Sequence, residues 1–201
     1  ARSQGLDVTA ETCIQYLLRT EDALRDKRAL AKCKPPLRTT DTVEDLWKRL
    51  LAGEIDFVTS DHAPWPLSNK QSDNIFDNAS GLPGVEQLLP LLYSSAVVER
   101  GLPVPRLAEL LSSNPARRYG LYPRKGALLV GADADIAVLD PTRHWTIDAA
   151  KSQSVSSWSP YDGMQVTGKV VATFLRGNLI FDGTEITAHP GSGRFIAPLR
   201  T

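Results

Sequence analysis

The chain has 201 residues, 42% of them apolar, and carries 23 basic and 23 acidic side chains for a formal net charge of zero. That length holds one large domain or two small ones around a buried core. The balanced charge supplies no electrostatic footprint for nucleic acid or for an anionic membrane surface, so a small neutral or modestly charged ligand is the expected partner.

Cys13 and Cys33 lie far apart without metal-type spacing, which argues against a disulfide framework and makes a reducing, cytoplasmic compartment the default. No apolar run approaches the ~20 residues of a membrane-spanning helix. The start, Ala1-Arg2-Ser3-Gln4, has neither the apolar core of a signal peptide nor an initiator methionine, so the chain is expected to begin partway through a longer protein.

In chain order, Leu6 to Cys13 alternates loosely among β-formers and predicts a strand with Ile14 to Leu18 as its exit. Thr20 to Lys32 reads as a surface helix or loop, and the paired prolines of Lys34-Pro35-Pro36-Leu37-Arg38 demand a loop. Val43, Leu46, Trp47, Leu50 and Leu51 then recur at helical spacing, with Thr40 and Asp41 as cap candidates and Gly53 as a stop. A strand from Ile55 to Thr59 follows directly. This αβ step is the repeat unit of parallel α/β folds, and it leaves Asp61 and His62 at the carboxyl end of a strand, where such folds place their sites.

Trp65 to Ser80 is polar and without period, which suits either a functional cover or a tolerated surface insertion. Leu82-Pro83-Gly84 is expected to open a helix running to Gly101, with Pro90 kinking it or delaying its start. Leu107 to Leu111 predicts another helix, ended by Asn114-Pro115, and Arg117 to Gly120 a short turn. After Tyr122-Pro123 the period changes to two. Segments 127–130, 136–139, 145–147, 166–174 and 178–181 read as short strands separated by Gly- and Asp-containing turns. A boundary is placed there, giving domains 1–121 and 122–201, with a turn-rich tail around Ala188 to Phe195.

Among residues able to do chemistry, Asp61 beside His62 is the sharpest local signal: a strand-end carboxylate can bind a metal or act as a general base. On spacing alone, a turn-capping aspartate and a satisfied rim histidine fit the same pattern. His62, His144 and His189 are too scattered for a multi-histidine site, and no HxH or HExxH occurs. There is no G-x-S-x-G elbow for a nucleophilic serine, and Gly191-Ser192-Gly193 precedes no helix that could cradle a phosphate. Tyr93, Trp158 and Tyr161 read as packing residues.

Several segments taken together resemble the cyclic amidohydrolases, that is hydantoinases (dihydropyrimidinases), allantoinases and dihydroorotases. They are Glu11-Thr12-Cys13-Ile14-Gln15-Tyr16-Leu17, Lys34-Pro35-Pro36-Leu37-Arg38, Ser60-Asp61-His62-Ala63-Pro64, Gly81-Leu82-Pro83-Gly84-Val85-Glu86, Asn114-Pro115-Ala116-Arg117, Gly120-Leu121-Tyr122-Pro123-Arg124-Lys125-Gly126, Gly131-Ala132-Asp133-Ala134-Asp135-Ile136 and Ser159-Pro160-Tyr161-Asp162-Gly163. They stand here in the family's order.

The resemblance implies an α/β fold: the last two strands of a (β/α)8 TIM-type barrel in residues 1–121, then part of a small β-sandwich in 122–201. It implies a binuclear zinc site to which this chain contributes Asp61 alone, as metal ligand and as the base that takes a proton from the metal-bridging hydroxide and later gives it to the leaving nitrogen. It further implies substrate contacts from the backbone at Ser80 and Gly81, where hydantoinases commonly have an asparagine. Lys34 stands where a serine often precedes the prolines. Trp65 replaces the histidine with which dihydroorotases hold a substrate carboxylate, which favours a less acidic ring or a larger apolar substituent.

The implied activity is hydantoinase-like or allantoinase-like ring opening of a cyclic amide or ureide. Its partners would be the amino-terminal half of the barrel and, at full length, further copies of the same protein. Two other expectations stand beside it: a non-catalytic scaffold of the same fold, and a fragment that is inactive by itself.

Overall fold

A computed structural model describes residues 1–199. By contacts these fall into two compact units, one of residues 1–91 and 146–166, the other of residues 92–145 and those from Thr167 onward. The change from helical to β-rich sequence near residue 122 falls inside the second unit.

The first unit is built on a parallel strand pair. β1 (Glu11–Cys13) and β2 (Phe57–Thr59) pair with Glu11 opposite Phe57 and Cys13 opposite Thr59, so both chains leave the sheet at the same end. The strand expected from Leu6 shortens to β1 because its first half has no burial to gain. Leu6 and Val8 are 57% and 42% exposed. The exit from β1 is a helix, α1 (Ile14–Leu18), and the charged stretch after it holds α2 (Ala23–Lys27) and the 3-10 turn Arg28–Ala31.

The helix expected before β2 is α3 (Thr40–Leu51). Its apolar stripe buries Val43, Trp47 and Leu50, while Leu51, at the stripe's margin, stays 43% exposed. The N-cap is Thr39, one position before the expected candidates, and its hydroxyl lies 3.0 Å from that of Thr42. Trp47 crosses to α1, its indole N–H donating to the Leu17 carbonyl at 2.7 Å. Gly53, at φ 81°, turns the chain back into β2, completing a parallel strand, helix, strand crossover.

Leu82 to Gln87 does not continue the helical pattern. The helix begins as α4 (Leu88–Leu92) and runs on in π-helical form over Tyr93–Val98 to a left-handed Gly101. Pro90 thereby sits in the first turn, where its missing N–H costs nothing.

In the second unit α5 (Val104–Ala108) passes through the π-helical stretch Glu109–Ser113 into α6 (Asn114–Arg118), so Asn114-Pro115 fails to end the helix. Pro115 takes an N1/N2 position at the start of α6, where a missing N–H is tolerated. The expected strand at 127–130 does not form. Leu128, Leu129 and Val130 are 77%, 56% and 109% exposed, between Gly126 and Gly131 at positive φ, and an apolar run without a ladder partner has nothing to hold it extended.

The remaining strands do form and merge: β3 (Ile136–Thr146), β4 (Gln165–Leu175) and β5 (Asn178–Phe181) make a sheet in that order. β4 and β5 are antiparallel across Arg176-Gly177, both at positive φ, the conformation that closes a two-residue hairpin. No helix among the described residues is long and apolar enough to cross a membrane.

Candidate active site

Both parallel strands deliver polar groups at their carboxyl ends. Cys13 closes β1, and its thiol lies 3.4 Å from the Thr59 hydroxyl of β2. Two residues beyond Thr59 the backbone turns at Asp61, whose φ of 45° lies in the left-handed region that Asp and Asn tolerate better than most residues. The Asp61 side chain is exposed, and no hydrogen-bond or ion-pair partner meets its carboxylate among the described residues. It is nonetheless felt by its surroundings. Burial pushes the Cys13, Cys33 and Tyr16 groups upward, and the negative charge of Asp61 adds to each shift.

Tyr16 and Cys33, which feel the Asp61 charge, tie down the proline loop. The Tyr16 hydroxyl donates to the Pro35 carbonyl at 2.9 Å, and the Cys33 thiol donates to the same oxygen at 3.3 Å. Leu37 anchors the loop in a buried cluster with Ala31, Cys33, Leu82 and Trp158.

The segment after Asp61 runs alongside the Gly81 to Val85 turn. His62 bridges to Leu82 in parallel, and the Ala63 amide donates to the Leu82 carbonyl at 2.9 Å. His62 Nδ1 accepts from the amides of Gly84 at 3.0 Å and Val85 at 3.3 Å. Burial lowers its pKa despite the Glu86 carboxylate, which suits a neutral ring with its proton on Nε2. His62, unassigned on sequence, is therefore the acceptor that holds this turn. His62→Ala leaves two amides unsatisfied and is expected to cost about 1–3 kcal/mol in denaturant unfolding. A loss within the roughly 0.5 kcal/mol typical of surface changes would disprove that role.

Trp65, Ser80 and Gly81 come together as one corner. The Trp65 indole N–H donates to the Ser80 carbonyl at 2.9 Å, and the Trp158 indole N–H holds the Trp65 carbonyl at 2.8 Å. Gly81 is required by conformation and space alike: its φ is 120°, and an added Cβ would stand 2.5 Å from that of Ala63. The stretch from Trp65 to Ser80 is no loose cover. Asn78, 4% exposed, bonds Ser72 and Asn74 from within, and Lys70, 3% exposed, bonds three backbone carbonyls. Sequence reasoning missed both, since a lysine or asparagine in a polar stretch carries no periodic signature.

The other two histidines belong to the second unit. His144 is exposed and meets the Thr167 hydroxyl at 3.0 Å, and His189 is exposed in the tail. Trp158 and Tyr161 are buried, as packing residues should be. Among the described residues no three His, Cys, Asp or Glu side chains group to hold a metal ion. An exposed, partnerless carboxylate at a strand end fits one ligand of a shared site, with the remaining ligands coming from elsewhere.

A parallel crossover that ends in this carboxylate puts it at the strand end where α/β folds carry their sites. The chain belongs to the amidohydrolase family, whose family model matches residues 6–180. Among its relatives are an allantoinase from Rubrobacter xylanophilus, 46% identical over 201 residues, which are all of this chain and 44% of that protein. Another is an L-hydantoinase from Paenarthrobacter aurescens, 35% identical over 198 residues, 98% of this chain and 43% of that protein. The solved structure of L-hydantoinase (dihydropyrimidinase) from Arthrobacter aurescens superposes with a TM-score of 0.93 at 35% identity, covering 98% of this chain and 44% of that one. Dihydropyrimidinase from Brevibacillus agri gives 0.91 at 30% identity, over 100% and 45%. The chain thus spans less than half the length of the relatives it matches.

Proposed function

We propose that this chain is the carboxyl-terminal part of a zinc-dependent cyclic amidohydrolase that opens an allantoin- or hydantoin-type ring. The observation that carries this reading is Asp61: an exposed carboxylate without a partner among the described residues, at the end of a parallel strand, in a chain that aligns over its whole length with an allantoinase. Residues 1–121 then supply the last two strands of the barrel, β1 and β2, and 122–201 the sandwich portion. The amino-terminal half of the barrel supplies the other metal ligands and strands, and the full-length protein assembles as a homo-oligomer. The free thiols of Cys13 and Cys33 suit a reducing cytoplasm.

When bound, zinc supplies a lowered pKa for the attacking water and polarisation of the amide carbonyl. Asp61 holds the metal, takes the proton from the attacking water and returns it to the leaving ring nitrogen. The corner formed by Trp65, Ser80 and Gly81 receives the ring. The Gly81 N–H and carbonyl and the Ser80 carbonyl are already bonded within the protein, which leaves the Ser80 N–H and hydroxyl to meet a ring carbonyl. Trp65, 40% exposed, offers its ring face to the substituent.

The test is ring opening of allantoin and of substituted hydantoins by the full-length protein, before and after chelation. Turnover that disappears with chelator and returns with zinc is expected, and none from residues 1–201 alone. A full-length protein that binds no zinc and opens neither ring would overturn the reading.

A further inference from the structure

Lys70 is a buried ammonium in an unusual setting. Its Nζ donates to the carbonyls of Lys32, Ala79 and Gly81, each at 3.0 Å. Those three bonds use every donor the group has. Among the described residues no carboxylate pairs with it, and its remaining charge faces the Trp158 ring, whose centroid lies 5.4 Å away. Burying an ammonium is costly unless acceptors converge on it, so the convergence of these three carbonyls asks for an explanation.

The three carbonyls mark it. Ala79 and Gly81 flank Ser80 on both sides, and Lys32 precedes Cys33 and the proline loop. The Gly81 amide also donates to the Lys32 carbonyl at 3.0 Å, and the Ala79 amide to the Asn69 carbonyl at 2.9 Å. With Trp65 on the Ser80 carbonyl, the backbone groups on either side of the Ser80 N–H are all fixed, and among the described residues nothing accepts from that N–H.

We propose that Lys70 is a positioning residue for substrate: its ammonium clamps the two sides of Ser80 to the root of the proline loop and so sets where the open Ser80 N–H meets the ring. This rests on the functional reading above, in which that corner binds the cyclic amide. Burial pushes the Lys70 pKa down to about 8, which still leaves it an ammonium at neutral pH, and three carbonyl acceptors favour that form.

The test compares Lys70→Met, which keeps the stem and removes the donors, with the wild-type full-length protein. KM for the ring substrate is expected to rise about tenfold or more while kcat changes little, as for a lost binding contact. In parallel, hydrogen–deuterium exchange is expected to quicken in a peptide spanning residues 79–84. If Lys70→Met does not fold, Lys70→Gln retains part of the donor set and should show the same split in smaller measure. A folded variant with unchanged KM and unchanged exchange overturns the proposal. So does a fall in kcat at constant KM, since that would place Lys70 in the chemical step. Exchange is read without substrate, so if the wild-type protein opens no ring the functional reading fails while the clamp still stands or falls on the exchange data.

Discussion

Asp61→Asn in the full-length protein is expected to lower ring-opening turnover by about 10³-fold or more, with the thermal stability of the metal-free protein unchanged. The two halves of that expectation have separate physical grounds. Asparagine is nearly isosteric with aspartate and shares its tolerance of the left-handed φ of 45° found here. The side chain is exposed and makes no bond that the substitution would break, so the fold has little reason to notice. The chemistry loses both an anionic ligand and a proton acceptor, and a misplaced or absent general base alone is worth roughly 10²–10⁴-fold. Steady-state kinetics with metal content by elemental analysis decide it. Turnover within about tenfold of wild type, at full zinc occupancy, would remove Asp61 from the mechanism.

Trp47→Ala is expected to produce the largest loss of stability, about 3–5 kcal/mol. Trp47 is 1% exposed in the middle of α3, and its truncation opens a cavity between α3 and α1 that short, packed elements cannot close. The Leu17 carbonyl also loses its 2.7 Å donor, adding the cost of an unsatisfied acceptor at the end of α1. Trp47→Phe separates the two contributions, because it keeps most of the ring volume and loses only the N–H, at about 1–2 kcal/mol. Denaturant unfolding of the full-length variants measures both. A Trp47→Ala cost below about 1 kcal/mol would mean that α3 does not depend on this contact.

The site is partly legible in the sequence. Asp61 stands out because an apolar run breaks at an acid, and the role proposed for it rests on the family resemblance, since turn capping explains the same two residues equally well. His62 was not legible. Its two amide partners, Gly84 and Val85, lie beyond a long irregular stretch, and nothing local distinguishes an acceptor histidine from an idle one. The structure brings Ser80 and Gly81 together with Trp65. Which of their backbone groups remain open depends on Trp65, Lys32 and Lys70, residues that become neighbours only through folding.

The fold divides along the same line. Local chemistry determined α3, the glycine stop after it, β2, and the hairpin between β4 and β5, because helical period, left-handed glycines and two-residue turns act over a few residues. It failed where an element needs a distant partner. The 127–130 run is as apolar as a strand should be and remains exposed, and Pro115 reads as a helix stop but takes an N1/N2 position at the start of α6. Sequence alone placed the carboxylate at the end of its strand. Only tertiary structure decided what surrounds it, because a buried ammonium such as Lys70 is selected by where three carbonyls meet, and their meeting place is a property of the folded chain.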